Sequence, residues 1–327
     1  MSESRIKRET KGNLEEIINN LDFFYLAEKL RYYCSTFSRK KFGQFDYEFL
    51  FIDEIIQVIE REKFEHIPPI SIYYHVFKSY SERNNDDNYY ALKELIFKHI
   101  ELFPNDEAKD ILDAAINYAL SKVNQGNQQF LRESFELYKY SIQNEIIFID
   151  NELTPWSMKN IVVNGLRLKE FEWVEQFIKN YVDRINPKYR KNAYYFNLAI
   201  LNLYRNKFEE VLPLLQNVDL NDFSYYLDTK LTLITSYYEL DEYELMIFTC
   251  DSLLTYLKRD KKMPADRKER YKKYVFYMKK LARQIATDKE AILKMKNELL
   301  QEQGVIRKEW ILEKLDELAG IPKSTDY

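Results

Sequence analysis

Glycine is scarce in this chain: six residues in 327, at positions 12, 43, 126, 165, 304 and 320. A sheet-rich fold needs turn glycines at short intervals, and a Rossmann or P-loop phosphate site needs them clustered. Neither pattern is available. Cysteine is scarcer still, with Cys34 and Cys250 each set in an apolar helical pattern. They read as buried thiols acting as small hydrophobes, the alternative being a disulfide or redox pair. The three histidines, His66, His75 and His99, have no second ligand at metal-binding spacing, and neither His-Glu-x-x-His nor Cys-x-x-Cys occurs. His75, beside Tyr73, Tyr74 and Phe77, reads as a core or boundary residue. A Gly-x-Ser-x-Gly elbow is also missing. The acidic pairs Glu15-Glu16, Asp86-Asp87 and Glu209-Glu210 lie in exposed helix or turn contexts. The expectation is a protein that is not an enzyme and carries no cofactor and no metal.

Long apolar runs are lacking too. The stretch from Asn192 to Tyr204 is uncharged but too short to span a bilayer. The first eight residues are charged and have no apolar core of a signal peptide, so a cytoplasmic protein without membrane contact is expected. Charge of one sign is also missing overall, with 49 basic and 53 acidic residues giving a net charge of -4. No global bias points to nucleic acid.

What fills the chain is helix-compatible, with an unusual load of 27 Tyr and 21 Phe. Such large side chains suit thin layers of helices that need plugging. Three segments repeat one pattern: Lys169-Glu170-Phe171-Glu172, Asn206-Lys207-Phe208-Glu209 and Asp241-Glu242-Tyr243-Glu244. Phe208 follows Phe171 by 37 positions, and Tyr243 follows Phe208 by 35. Apolar residues at helical spacing flank each landmark: Met158, Ile161, Val162 and Leu166 before the first, Tyr195, Leu198, Ala199 and Leu203 before the second. Before the third come Leu233, Ile234 and Tyr238, with Lys230 breaking the pattern. A polar turn, an aromatic opening the second helix, and a period near 34 residues together resemble the tetratricopeptide repeat.

Weaker copies extend toward the N-terminus. Asn88 to Leu92 followed by Phe103-Pro104-Asn105-Asp106 resembles a second helix and its exit, and Pro68-Pro69 opens the helix before it. Asp110 to Val123 and Leu131 to Ile147 form another pair, joined at Asn124-Gln125-Gly126-Asn127. Leu14 to Cys34 and Asp46 to Lys63 make a further pair, bridged by a basic loop at Ser38-Arg39-Lys40-Lys41. The expected fold is all-α: a tetratricopeptide-like α-solenoid of about six antiparallel helix pairs over residues 1–284, with a C-terminal helical cap or docking segment over 285–327. One pair cannot bury its own apolar face, so neighbours must stack.

The resemblance implies a function: a scaffold binding a protein or peptide on its concave face, with ligand-facing residues on the first helix of each pair. Carried onto this sequence, that face holds Trp156, Lys159, Asn160, Val163 and Arg167, then Phe196, Asn197, Ile200 and Tyr204, then Leu231, Thr232, Thr235 and Tyr238. Asn160, Asn197 and Thr232 share one phase and would form a polar ladder for an extended backbone; alternatively they satisfy local hydrogen bonds. A carboxylate clamp is approached by Lys159, Asn160 and Arg167, and the later units depart from it.

Between Lys258 and Arg283 stand twelve basic residues against three acidic ones, among them Lys261, Lys262, Lys268, Arg270, Lys272 and Lys273. Tyr271, Tyr274 and Tyr277 interleave with them. A nucleic-acid-associated regulator is the alternative this segment offers, since cations near aromatics hold phosphates and stack bases. Tyr271, Tyr274, Met278, Leu281 and Ile285 also recur at core spacing, which makes the first two tyrosines packing residues instead. Finally, Thr287-Asp288-Lys289-Glu290 reads as a capping box. Ile292, Met295 and Leu299 form a narrow seam, and a last helix carries Val305, Ile306, Trp310, Ile311, Leu315 and Leu318. Folded back, this pair caps the array; extended, it builds a homodimer or a structural oligomer.

Overall fold

The scarcity of glycine and the helical periodicity carry through to the computed structural model, which describes residues 3–40, 49–219, 223–284 and 288–321. It is all-α, about 80% helical, with no strand among the described residues. The chain divides into two compact units, Met1–Thr154 and Pro155–Tyr327.

In unit 1, α1 (Glu3–Lys40) is followed by α2 (Ile52–Glu62), α3 (Pro68–Ser81), α4 (Asp87–His99), α5 (Asn105–Asn124) and α6 (Gln129–Gln143). Helices α3 and α4 pack together, as do α5 and α6, while α1 packs on α3 and α3 on α5. The basic loop expected at 38–41 is not where α1 ends, since the helix runs through Lys40; Lys41 and the expected helix start at Asp46 lie outside the described residues. Leu26, Leu30, Tyr33 and Cys34 of α1 are buried, and Tyr33 donates to the carbonyl of Leu50 at 2.6 Å.

Unit 2 comprises α7 (Pro155–Arg167), α8 (Phe171–Tyr181), α9 (Pro187–Tyr204), α10 (Phe208–Leu215), α11 (Phe223–Glu239), α12 (Tyr243–Arg259), α13 (Ala265–Leu281), α14 (Lys289–Gln301) and α15 (Lys308–Ala319). Neighbours α7–α8, α9–α10 and α11–α12 pack as pairs, and α9 touches both α7 and α11. Each landmark aromatic is the first residue of the second helix: Phe171 of α8, Phe208 of α10, Tyr243 of α12.

The polar turns before those aromatics are one structure built three times. Lys169, Asn206 and Asp241 adopt left-handed conformations with φ of 62°, 58° and 58°. The following N–H groups, of Glu170, Lys207 and Glu242, bond back to the carbonyls of Gly165, Asn202 and Tyr237 at 3.0, 2.9 and 2.8 Å. This Schellman geometry satisfies the orphan carbonyls of a helix end. Unit 1 repeats it at Gly126 (φ 100°), where Asn127 bonds to Lys122 at 3.0 Å.

The exits from second helices are shared as well. After α2, α4 and α8 comes a 3₁₀ turn, at Phe64–His66, Ile100–Leu102 and Val182–Arg184, then an extended residue (Ile67, Phe103 or Ile185). A proline follows directly at Pro68 and Pro104, and one residue later, after the N-cap Asn186, at Pro187. Proline disfavours helix in the residue before it and is accommodated at the next helix start, so it sets the corner.

The C-terminal helices fold back. Ile292, Met295 and Leu299 of α14 and Ile311 and Leu315 of α15 share a buried cluster with α11, α12 and α13. The seam is therefore spent inside the unit. The expected cap residue Thr287 lies outside the described residues, as does Ile285; the capping side chain is Asp288, which accepts from Ala291 N at 3.0 Å.

Candidate functional site

The first helices of unit 2's pairs supply the candidate surface, because α9 lies against both α7 and α11. Trp156, in the first turn of α7, is 61% exposed. One turn on, the Lys159 ammonium sits 4.6 Å from the Trp156 ring centroid and pairs with Asp228 of α11 at 2.5 Å. Lys159 thus ties α7 to α11 and steadies the indole. It is not a free cation waiting for a ligand. Asn160 and Val163 are half-buried; Arg167 and Tyr204, the last residues of α7 and α9, are exposed.

The expected polar ladder is not an open one. Asn197 is fully buried, its amide donating to the carbonyl of Ala193 at 2.7 Å, and Thr232 and Thr235 are buried too. The Thr232 hydroxyl donates to the carbonyl of Asp228 at 2.8 Å, and Thr235 lies 2.9 Å from the Tyr274 hydroxyl. Phe196, Ile200, Leu231 and Tyr238 from the same expected face are core residues. The part of that face left to solvent is Trp156, Arg167 and Tyr204, with Asn160 at its edge.

What covers α11 is Arg307, a residue that sequence reasoning did not single out. Its backbone is left-handed, with φ of 53°, at the start of α15. The guanidinium reaches the Thr235 hydroxyl at 2.5 Å, Thr232 at 3.3 Å and the Leu231 carbonyl at 3.4 Å. Burial pushes the nearby Tyr274 phenol up to about 12. Trp310 and Lys314 of α15 hold Glu239, at the end of α11, at 3.0 and 2.9 Å. Arg307 stands 72 positions beyond Thr235, so no local pattern announces it.

The basic segment is committed in part. Tyr271, Tyr274 and Tyr277 are all buried, so none of the three offers a ring face for a base. Tyr277, left open in the sequence, joins the other two in the core. Lys273 pairs with Glu302 at 2.6 Å and holds that carboxylate below its ordinary value. Lys279 pairs with Asp251 at 2.5 Å, Lys280 with Glu298, and Lys272 with Glu269 at 3.4 Å. Lys268 caps the carbonyl of Asp260. Lys261, Lys262 and Arg270 are exposed, and Arg270 lies along Gly304.

Both thiols are buried and unbridged; burial raises each, that of Cys250 to about 12. Among the described residues no three of His, Cys, Asp and Glu gather as they would around a metal ion. No helix among them is long and apolar enough to cross a membrane. A shallow depression of about 540 Å³ between the end of α8 and the start of α9 is lined by Lys179, Arg190, Lys191 and Tyr194. Lys179 pairs there with Glu175 at 2.6 Å and Arg190 with Asp183 at 3.2 Å.

The fold and face together define a class no finer than a helical protein of neighbouring, contacting helix pairs. No protein-family model and no curated protein matches the chain.

Proposed function

We propose that this protein is a non-catalytic, cytoplasmic scaffold of the tetratricopeptide-like kind, which holds an extended peptide or protein segment along the first helices of unit 2. The observation that carries the reading is the thrice-built turn, which delivers α7, α9 and α11 as successive first helices in mutual contact. Stacked pairs of this kind form a continuous core and a curved face on which solenoids bind. On that face Trp156 is the anchor: a large aromatic, mostly open to solvent, backed by the Lys159–Asp228 pair. Exposed aromatic and arginine residues are the side chains that dominate binding interfaces. Arg167 and Tyr204 supply the second and third contacts, with Asn160 between helix and ligand. Arg307 takes the place of a ligand on α11, so the binding run ends at α9.

The test is selection of peptides from a displayed random library on the full chain, followed by affinity measurement on Trp156→Ala and Tyr204→Ala. Selected peptides should lose about tenfold or more in affinity on Trp156→Ala, the effect of a hot-spot residue. Peptides that bind the variant and the parent alike would contradict the reading, and so would a library that enriches nothing.

A further inference from the structure

Helix α1 has an apolar face that nothing among the described residues covers. From residue 26 onward the helix is seated in unit 1, with Leu26, Leu30, Tyr33 and Cys34 buried. Before that, Phe23 still packs on Phe64, their ring centroids 5.3 Å apart, while residues 13–22 are exposed on every side. Yet Leu14, Ile17, Ile18, Leu21, Phe24 and Tyr25 are there, each 48 to 65% exposed. Their spacing is that of a helix-packing seam: Leu14 and Leu21 at one core position of a heptad, Ile17 and Phe24 at the other, Ile18 and Tyr25 on the flank. A helix standing alone in water is marginal unless its apolar face is packed. Six large side chains, each open by about half, expose on the order of several hundred Å², which on a monomer marks an interaction site. Two such faces brought together approach the ~1,600 Å² of a standard protein–protein interface.

We infer that this seam pairs with the same seam of a second copy of the chain, the two α1 helices running antiparallel about a two-fold axis at Asn19. The face is self-complementary in that register. Leu14 meets Phe24 of the other copy and Ile17 meets Leu21, which are the layers an isologous contact requires. On one flank Ile18 lies against its own counterpart, and on the other Asn20 lies against Asn20, so neither central flank sets like charges together. The acidic residues Glu15, Glu16 and Asp22 fall off the core positions of the seam. An antiparallel pair also carries the two copies of unit 1 to opposite ends of the helical contact, where a parallel pair would crowd them at one end. This seam belongs to unit 1, and the residues of the proposed peptide face belong to unit 2.

The experiment is sedimentation equilibrium on the full chain together with cysteine cross-linking. The parent should sediment at twice the chain mass, the double variant Ile17→Glu with Leu21→Glu as a monomer, and Asn19→Glu, on the opposite side of the helix, as a dimer. The seam residues lie outside the body of unit 1, so the double variant should keep the parent's circular dichroism and melting. Ile18→Cys should form a disulfide-linked dimer on mild oxidation and Leu14→Cys should not, the native Cys34 and Cys250 being buried. A monomeric parent would overturn the proposal, whether its seam is covered within the chain or floats with lipid vesicles. So would a dimer that survives the double substitution, or cross-linking through Leu14→Cys rather than Ile18→Cys, which would mark a parallel pair.

Discussion

In unit 1, Glu107 of α5 accepts the Tyr73 hydroxyl of α3 at 2.5 Å and stands 3.5 Å from Arg31 of α1. In unit 2, Asp228 of α11 meets Lys159 of α7 at 2.5 Å. Both units therefore bridge a first helix to the first helix two pairs on. In unit 1 the middle helix joins the bridge through Tyr73, whose phenol is pushed far above its ordinary value by burial and by its bond to Glu107. In unit 2 the middle helix, α9, instead contributes Asn197, with its Oδ1 buried and no hydrogen-bond partner among the described residues; Thr229 and Ser236 of α11 are in the same condition. Buried polar atoms left unpaired cost about 1–3 kcal/mol each. One construction is thus tied through all three helices and the other through two, and the looser one carries the exposed Trp156.

That difference can be broken deliberately. Glu107→Ala removes the acceptor of a buried phenol and the partner of Arg31, and should destabilise unit 1 by about 2 kcal/mol. Asp228→Ala removes a partly exposed pair whose lysine keeps the Trp156 ring, and should cost about 1 kcal/mol or less. Urea unfolding followed by circular dichroism checks the order, and an equal or reversed effect would remove the distinction.

A smaller effect compares the turns. Gly126 and Lys169 occupy the same left-handed position of the same turn, one in each unit. A side chain there costs roughly 1–2 kcal/mol against glycine. Gly126→Ala should therefore destabilise by about 1 kcal/mol, with no steric contribution because nothing lies within 4 Å of the added Cβ. Lys169→Gly should stabilise by about the same amount, reduced by the greater freedom of glycine in the unfolded chain. Paired melting curves decide it.

The smallest expected effect is on pH dependence. Glu175 of α8 is held down to about 2, first by its hydrogen bond to Lys179 and then by that to Arg205 at the end of α9. A carboxylate depressed in the folded state contributes stability above its unfolded value of about 4.3, and that contribution is lost as pH falls toward about 2. The pair is solvent-screened, so the amount should stay below ~1 kcal/mol. Glu175→Gln should flatten the acid limb of the stability profile of unit 2 by lowering neutral stability by that small amount, while stability near pH 2 stays unchanged.

These particulars also show what the sequence could reveal. The landmarks at 171, 208 and 243 were legible because an aromatic and a left-handed turn are both local, and each falls on a helix start. Pro68 and Pro104 marked corners for the same reason. The first-helix face was half legible: Trp156, Arg167 and Tyr204 are exposed, while Asn197, Thr232 and Thr235 are not. A helical phase tells which residues share a face, but not what arrives from 72 positions away to cover it, as Arg307 does. The tyrosines of the basic segment follow the same logic, since Tyr277 is buried by a core that includes α14 and α15. The open seam of α1 was read only as part of a helix pair, because spacing identifies a seam but not whether it is filled.

The central claim is that a peptide lies along α7 and α9, and amide hydrogen exchange with and without a selected peptide tests it most directly. Protection confined to residues 155–167 and 187–204, absent in Trp156→Ala, is the expected result. Protection falling instead on residues 258–283, or spread evenly over both units, would contradict it.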